Sequence, residues 1–384
     1  MVERPLPVSF PSLNVVIATF VLSSVLWAQT VDFQHVQALL NSGDLAGARL
    51  LLNRAVQGNP QSPQPWAMLA GVCAGLEDWP AARDAYEQAL RKTPDDPKLL
   101  AGLGFVLARQ GQLREAIAAL RKSASLDPDN ARVRFLLGRV QFEAQQFDAA
   151  VSNFEKAMLK EPENESFYLE YAQILSRGQA YSGAEKILNY GLRQLPRSAA
   201  IRFELGVCYQ MQLKSRQAQQ EFRRVIRQDA EFPGAYAALA GSLLESGQLE
   251  EAEPVLRSAL RVKGGDFDSR YLYAVLLVRL GRKTEAVSQL RKCLELRGDD
   301  ARVHYQLGKA MAESGEIEAA ESALDNAVRL EPELKEAHLE LGRLYSRQGL
   351  TEKAKRSLKR FEELRQKQER EDRERGDRVL VVAE

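Results

Sequence analysis

The chain has 384 residues, with 53 Lys and Arg against 52 Asp and Glu, for a formal net charge of +1. That balance excludes a nucleic-acid binder driven by bulk charge, and 45% hydrophobic with 27% charged residues excludes a disordered chain. Three Cys exclude a disulfide scaffold, and three His leave little room for a histidine-rich metal centre.

The first element is an apolar run, VVIATFVLSSVLWA, from Val15 to Ala28, after a start carrying Glu3 and Arg4. Its length suits a signal-peptide core better than a full membrane span. Residues 1–28 are therefore expected to be a signal peptide cut after Ala28. The alternatives are an uncleaved membrane tether through residues 13–28 and an extra cytoplasmic helix. No Cys follows the run, which disfavours lipid attachment. The expected location is periplasmic or secreted, with membrane-anchored as the alternative; a bacterial source is inferred from this compact start.

From Gln29 to Gln368 the sequence repeats every 34 residues, ten times. Prolines fall at Pro60, Pro94, Pro128, Pro162, Pro196 and Pro332, and the skipped places are Ala230, Gly264 and Gly298. Alanine occupies a second register without exception, at Ala48, Ala82, Ala116, Ala150, Ala184, Ala218, Ala252, Ala286, Ala320 and Ala354. Four residues after each Ala comes a bulky one, from Leu52 and Tyr86 through Leu358. A third register holds Gly or Ala, as at Ala70, Gly104 and Gly138, each preceded by Leu or Tyr.

Each repeat reads as two helices. In the segment from Pro63 to Pro94, Trp66, Leu69, Ala70 and Cys73 recur at helical spacing, and a break follows near Glu77 and Asp78. Ala82, Tyr86 and Ala89 mark the second helix. Later repeats place Gly at the break, as in Gly111, Gly247 and Gly281. Small residues let two antiparallel helices approach closely. One hairpin cannot bury its own apolar stripe, so neighbours must stack.

The pattern Trp66-x2-Leu69-Ala70-x2-Cys73, Ala82-x3-Tyr86 and Pro94 resembles the tetratricopeptide repeat (TPR), as does Leu103-Gly104, Ala116, Leu120 and Pro128. The resemblance covers about nine-tenths of the chain; the first repeat departs from it, with His35-Val36 in place of a Leu-Gly pair. It implies an all-α solenoid, a right-handed superhelix whose concave groove is lined mainly by first helices. Some TPR proteins grip a chaperone's terminal carboxylate with a Lys/Asn/Arg clamp. Gly71, Phe105, Arg139 and Gln173 stand where its Asn residues would fall, so that role is not expected.

At the far end, Ala354, Leu358, Phe361 and Leu364 supply a stripe against the array. Residues 369–384 form a charged tail of alternating sign, expected to be a solvated or frayed helix, with Val379–Val382 as a disordered tip or a strand for another sheet's edge. No phosphate-cradling loop, GxSxG, HExxH or CxxC motif occurs. His304 and His338 hold equivalent places one repeat apart, too far apart to share an ion, and Cys73, Cys208 and Cys293 fall on apolar stripes as buried free thiols. No catalytic residue, cofactor or metal site is assigned.

The groove is the functional candidate. Its expected contact residues are Phe105, Arg109, Phe135, Arg139, Phe142, Phe203, Tyr271, Arg279, Tyr305 and Arg343, because aromatics with arginines make binding hot spots. The same aromatics would serve equally as packing between helices. The expected function is a non-enzymatic scaffold that binds a peptide segment or partner protein, supports a bacterial envelope complex, and binds no nucleic acid. The rivals are an accessory subunit of a separate enzyme and a structural homo-oligomer.

Overall fold

In the computed structural model the described residues are 33–262 and 267–382, with side chains described through residue 371. The expected signal or anchor segment, residues 1–28, lies outside them. Among the described residues there are twenty α-helices and no strand. None of these helices is long and apolar enough to cross a membrane. Numbering the repeats from Gln29, repeat 1 spans 29–62 and repeat 10 spans 335–368.

The sequence period is the period of the fold. Second helices begin at Leu45, Trp79, Leu113 and every 34 residues thereafter to Thr351. Many starts are capped. Asp78 accepts from Ala81 N–H at 3.2 Å, Asn130 from Val133 N–H at 3.1 Å, and Ser198 from Ile201 N–H at 2.9 Å. Each cap satisfies a backbone donor that the first turn leaves unpaired.

The turn inside each hairpin is the same in every repeat. One residue takes a left-handed backbone, at positions 43, 77, 111 and every 34 residues to 349. The following amide reaches back to the first helix, as Asp78 N–H to Cys73 O at 2.9 Å and Lys214 N–H to Tyr209 O at 2.9 Å. This geometry closes a helix and turns the chain at once. Six repeats carry Gly there, but Glu77, Gln145, Gln179 and Leu213 adopt φ of 58–59° with a full side chain.

The chain divides into two compact units, Met1–Tyr171 and Ala172–Glu384. In the first, a Cβ placed on Gly104 would lie 2.6 Å from Leu120 and 3.2 Å from the Ala116 carbonyl, and one on Gly138 would lie 2.9 Å from Phe154. In the second, Gly206 meets Phe222 at 2.6 Å, Gly308 meets Leu324 at 2.6 Å and Gly342 meets Leu358 at 2.7 Å. The bulky residue of the second helix thus sits directly over the small residue of the first. The alanine register is buried throughout, at 0% exposure in nine of ten positions. Leu358 is 38% exposed, on the last hairpin among the described residues, whereas Leu52, Leu120, Leu256 and Leu324 are fully buried.

A further link joins successive repeats. In the first unit, Trp66 Nε1 donates to Pro60 O at 3.1 Å, Arg134 Nε to Pro128 O at 3.0 Å and the Tyr168 hydroxyl to Pro162 O at 2.9 Å. In the second, Arg202 donates to Pro196 O and His338 Nε2 lies 3.1 Å from Pro332 O, both six residues back. The slot shared by Trp, Arg, Tyr and His is therefore a donor slot. Leu100 has no donor, and Lys122 Nζ serves Pro94 O instead at 3.0 Å.

The three cysteines are free and buried. Burial pushes the Cys293 thiol up to about 11. The last helix, Thr351–Val382, runs 32 residues against 14 for the other second helices, so the tip read as disordered or strand-forming is helical to Val382. Glu and Arg favour a helix, and pairs such as Arg365–Glu362 at 2.7 Å support it. Ala354 and Leu364 of the expected stripe are buried.

Candidate functional site

Within each unit every second helix with its own first helix makes a hairpin that stacks on the next. Neighbouring first helices touch, at repeats 2–3 and 3–4 in the first unit and from 6–7 to 9–10 in the second, while neighbouring second helices make at most marginal contact. First helices therefore line the inner side of each stack, and their unburied faces are the candidate site.

In the first unit the structure brings Phe105 and Arg109 together on Trp79. The Phe105 ring meets Trp79 edge-on at 6.0 Å, and the Arg109 guanidinium lies 5.0 Å over the indole. Arg109 is exposed and Phe105 half-buried. A cation held against an indole face loses little freedom when a partner arrives. Phe142 is half-buried and meets Phe147 edge-on at 5.1 Å.

Phe135 is placed differently from the expectation. It is 4% exposed, stacks on Phe167 at 4.5 Å and touches Phe154 at 4.9 Å. Its ring wedges between its own second helix and the next first helix, so it belongs to the core. Arg139 is mostly buried and pairs with Glu170 at 3.3 Å. Burial pushes the Glu170 carboxyl above its ordinary value by more than Arg139 lowers it. That pair is a structural tie across two first helices rather than free charge.

In the second unit Phe203 is half-buried between Phe222 and Phe232, at 5.6 and 5.2 Å, and serves packing. Tyr271 lies parallel to Phe267 at 6.3 Å, with the Arg302 guanidinium 5.3 Å from its ring. Tyr305 is half-buried; burial first, and Glu340 and Glu336 after it, push its hydroxyl up to about 12. It is therefore a neutral hydrogen-bond donor at neutral pH. Arg279 is exposed, yet donates to Leu244 O at 2.6 Å, at the C-terminal end of the preceding first helix. Arg343 is exposed and pairs with Glu340 at 2.7 Å.

Sequence reasoning missed Trp79 and Arg302. Trp79 opens a second helix, outside the first-helix period, and Arg302 sits at a helix start, where a charge reads as solvated. Their signal is proximity in the fold, which no spacing encodes. Among the described residues no cluster of three metal-ligating side chains occurs, and His338 Nε2 is taken up by Pro332 O. The arrangement offers aromatic faces, aimed guanidiniums and neutral hydroxyls, which suits recognition.

The comparisons with known proteins agree on the repeat. The profile of the cilia and flagella-associated protein 70 C-terminal domain matches residues 34–173. Tetratricopeptide repeat profiles match residues 212–261, 243–310 and 311–370. No curated protein matches the chain. Among solved structures, YrrB, described as a TPR protein with an unusual peptide-binding site, is 24% identical. That alignment covers 48% of this chain and 95% of YrrB, with a TM-score of 0.41. A MamA RS-1 double mutant is 21% identical over 44% of this chain and 96% of its own, with a TM-score of 0.40. A tetratricopeptide repeat protein from Parabacteroides merdae is 17% identical over 65% of this chain and 99% of its own, with a TM-score of 0.42. Helical hairpins that keep one 34-residue register from end to end, and tetratricopeptide repeat profiles that match them over residues 212–370, lead to one assignment: the chain belongs to the tetratricopeptide repeat family.

Proposed function

We propose that the chain is a non-catalytic scaffold that holds a segment of a partner protein against its first helices. The observation that carries this reading is the Trp79, Phe105 and Arg109 group, an aromatic surface with an exposed guanidinium already fixed over it. Tyr271 with Arg302 and the neutral Tyr305 hydroxyl offer a second patch of the same chemistry in the other unit. Affinity then comes from a few aromatic contacts, with arginines setting orientation and association rate.

The proposal includes export through residues 1–28 and support of an envelope complex. Affinity capture of the chain from its own envelope tests both parts. Wild type should recover a defined partner, and Arg109→Ala or Tyr305→Ala should lose most of it with unchanged helicity. Equal recovery by both variants refutes the first-helix reading. N-terminal sequencing of the recovered chain should begin at Gln29; an intact Met1 refutes cleavage.

A further inference from the structure

Repeat 6 carries a charged feature outside the first-helix face, between the helices Ala199–Met211 and Ser215–Gln228. Arg202, Arg224, Arg227 and Gln228 line an open cleft of about 510 Å³, and no carboxylate is among them. Beside them Glu221, 6% exposed, bonds Arg202 at 3.0 Å and Arg224 at 2.5 Å. Arg202 is fixed a second time, through Pro196 O at 3.1 Å. Two guanidiniums are thus aimed before any ligand arrives. Arg227 has no ion-pair or hydrogen-bond partner among the described residues.

The charges do not cancel. Three guanidiniums against one carboxylate leave an excess of two positive charges at the cleft. From Arg193 to Gln228 the sequence has eight Lys and Arg against two Asp and Glu; Lys214 and Arg223 are paired with Glu185 and Glu251 from outside that stretch, and Asp229 and Glu231 follow it. Glu221 is one of those two acids, and both its oxygens are taken up by Arg202 and Arg224. A guanidinium presents paired N–H donors that match the oxygens of carboxylate and phosphate groups. Arg227 is thus left without an ion pair among the described residues, beside two arginines that are braced.

We propose that this cleft binds a doubly anionic group on a partner protein, either a phosphorylated side chain or two neighbouring carboxylates. The charge excess of two matches such a group, and the lining holds no aromatic ring on which a nucleobase would stack. Glu221 acts as a positioning residue, holding Arg202 and Arg224 in a fixed fork. The site goes beyond the first-helix reading, because it lies on different side chains and serves a different ligand chemistry.

Fluorescence anisotropy on the full chain tests it, with three labelled Gly-Ser peptides containing one phosphoserine, an Asp-Asp pair, or neither. At least one dianionic peptide should bind, and the neutral peptide should not; whichever dianion binds more tightly identifies the source. Arg227→Gln removes the unpartnered cation without touching Glu221 and should weaken binding by about fivefold or more. Arg216→Gln changes the charge equally at an exposed position outside the cleft and should weaken it by less than about twofold. Phe105→Ala, on the first-helix face, should leave this binding unchanged, which separates failure here from failure of the scaffold reading. Equal losses from Arg227→Gln and Arg216→Gln, no binding of either dianionic peptide below about 1 mM, or a loss with Phe105→Ala would each overturn the proposal.

Discussion

Leu213 offers a direct test of the turn that every hairpin shares. Its φ is 59°, its side chain is 90% exposed, and the equivalent place holds Gly in six other repeats. A left-handed backbone costs an L-residue about 1–2 kcal/mol. Glycine avoids that cost but gives up about 0.5–1 kcal/mol through its freer unfolded chain. The side chain has almost nothing to lose, since a leucine so exposed buries only ~0.2 kcal/mol of transfer energy. Leu213→Gly should therefore stabilise the hairpin of repeat 6 by about 0.5–1 kcal/mol, and Leu213→Asn by less. A stacked array need not unfold in one step, so local amide exchange is a better readout than a single melting temperature. Exchange of amides in the helix Ser215–Gln228 should slow by about two- to fivefold. The reverse change, Gly247→Leu at φ 73°, should speed exchange in repeat 7 by a similar factor. Faster exchange in Leu213→Gly, or no effect from Gly247→Leu, would refute the assignment of strain to this position.

Gly206→Ala should destabilise by about 1–3 kcal/mol, because its Cβ would lie 2.6 Å from the Phe222 ring, and Phe222→Leu in the same chain should recover part of the loss in urea titrations. Gly71→Ala meets nothing within 4 Å and should instead stabilise its helix by ~1 kcal/mol. Phe135→Ala should cost about 3–5 kcal/mol in the same titrations, as a core deletion does, whereas Phe142→Ala should cost clearly less. The Cys293 thiol is raised from 9.0 to about 11 by burial, so folding favours its neutral form. Its contribution to stability is intact below pH 9 and falls as pH rises from 9 towards 11, and alkylation at pH 8 should be slow in the folded chain and fast in guanidinium.

The repeat length and helix pairing were legible because they are written as strict registers: alanine where backbones touch, a bulky side chain over a small one, and proline where the chain turns. Phe135 and Phe105 stand one repeat apart on neighbouring first helices, yet one is a core wedge and the other lies on Trp79. That difference depends on Phe167 and Trp79, which come from other helices and carry no periodic mark. The Arg139–Glu170 tie was hidden for the same reason, since each residue alone reads as a solvated charge. Leu213 defeated the glycine rule because its turn is imposed by the stacked helices on either side, against its own backbone preference.

The donor slot explains why the length of the repeat holds so constant. Acceptor and donor stand six residues apart across five of the turns, as in Pro162 to Tyr168. An insertion there would carry the hydroxyl or indole off its carbonyl and rotate the following helix by about 100° per added residue, turning its apolar stripe away from the stack. Length change is thereby confined to places outside that span, and the chain can drift in composition while its ruler stays fixed.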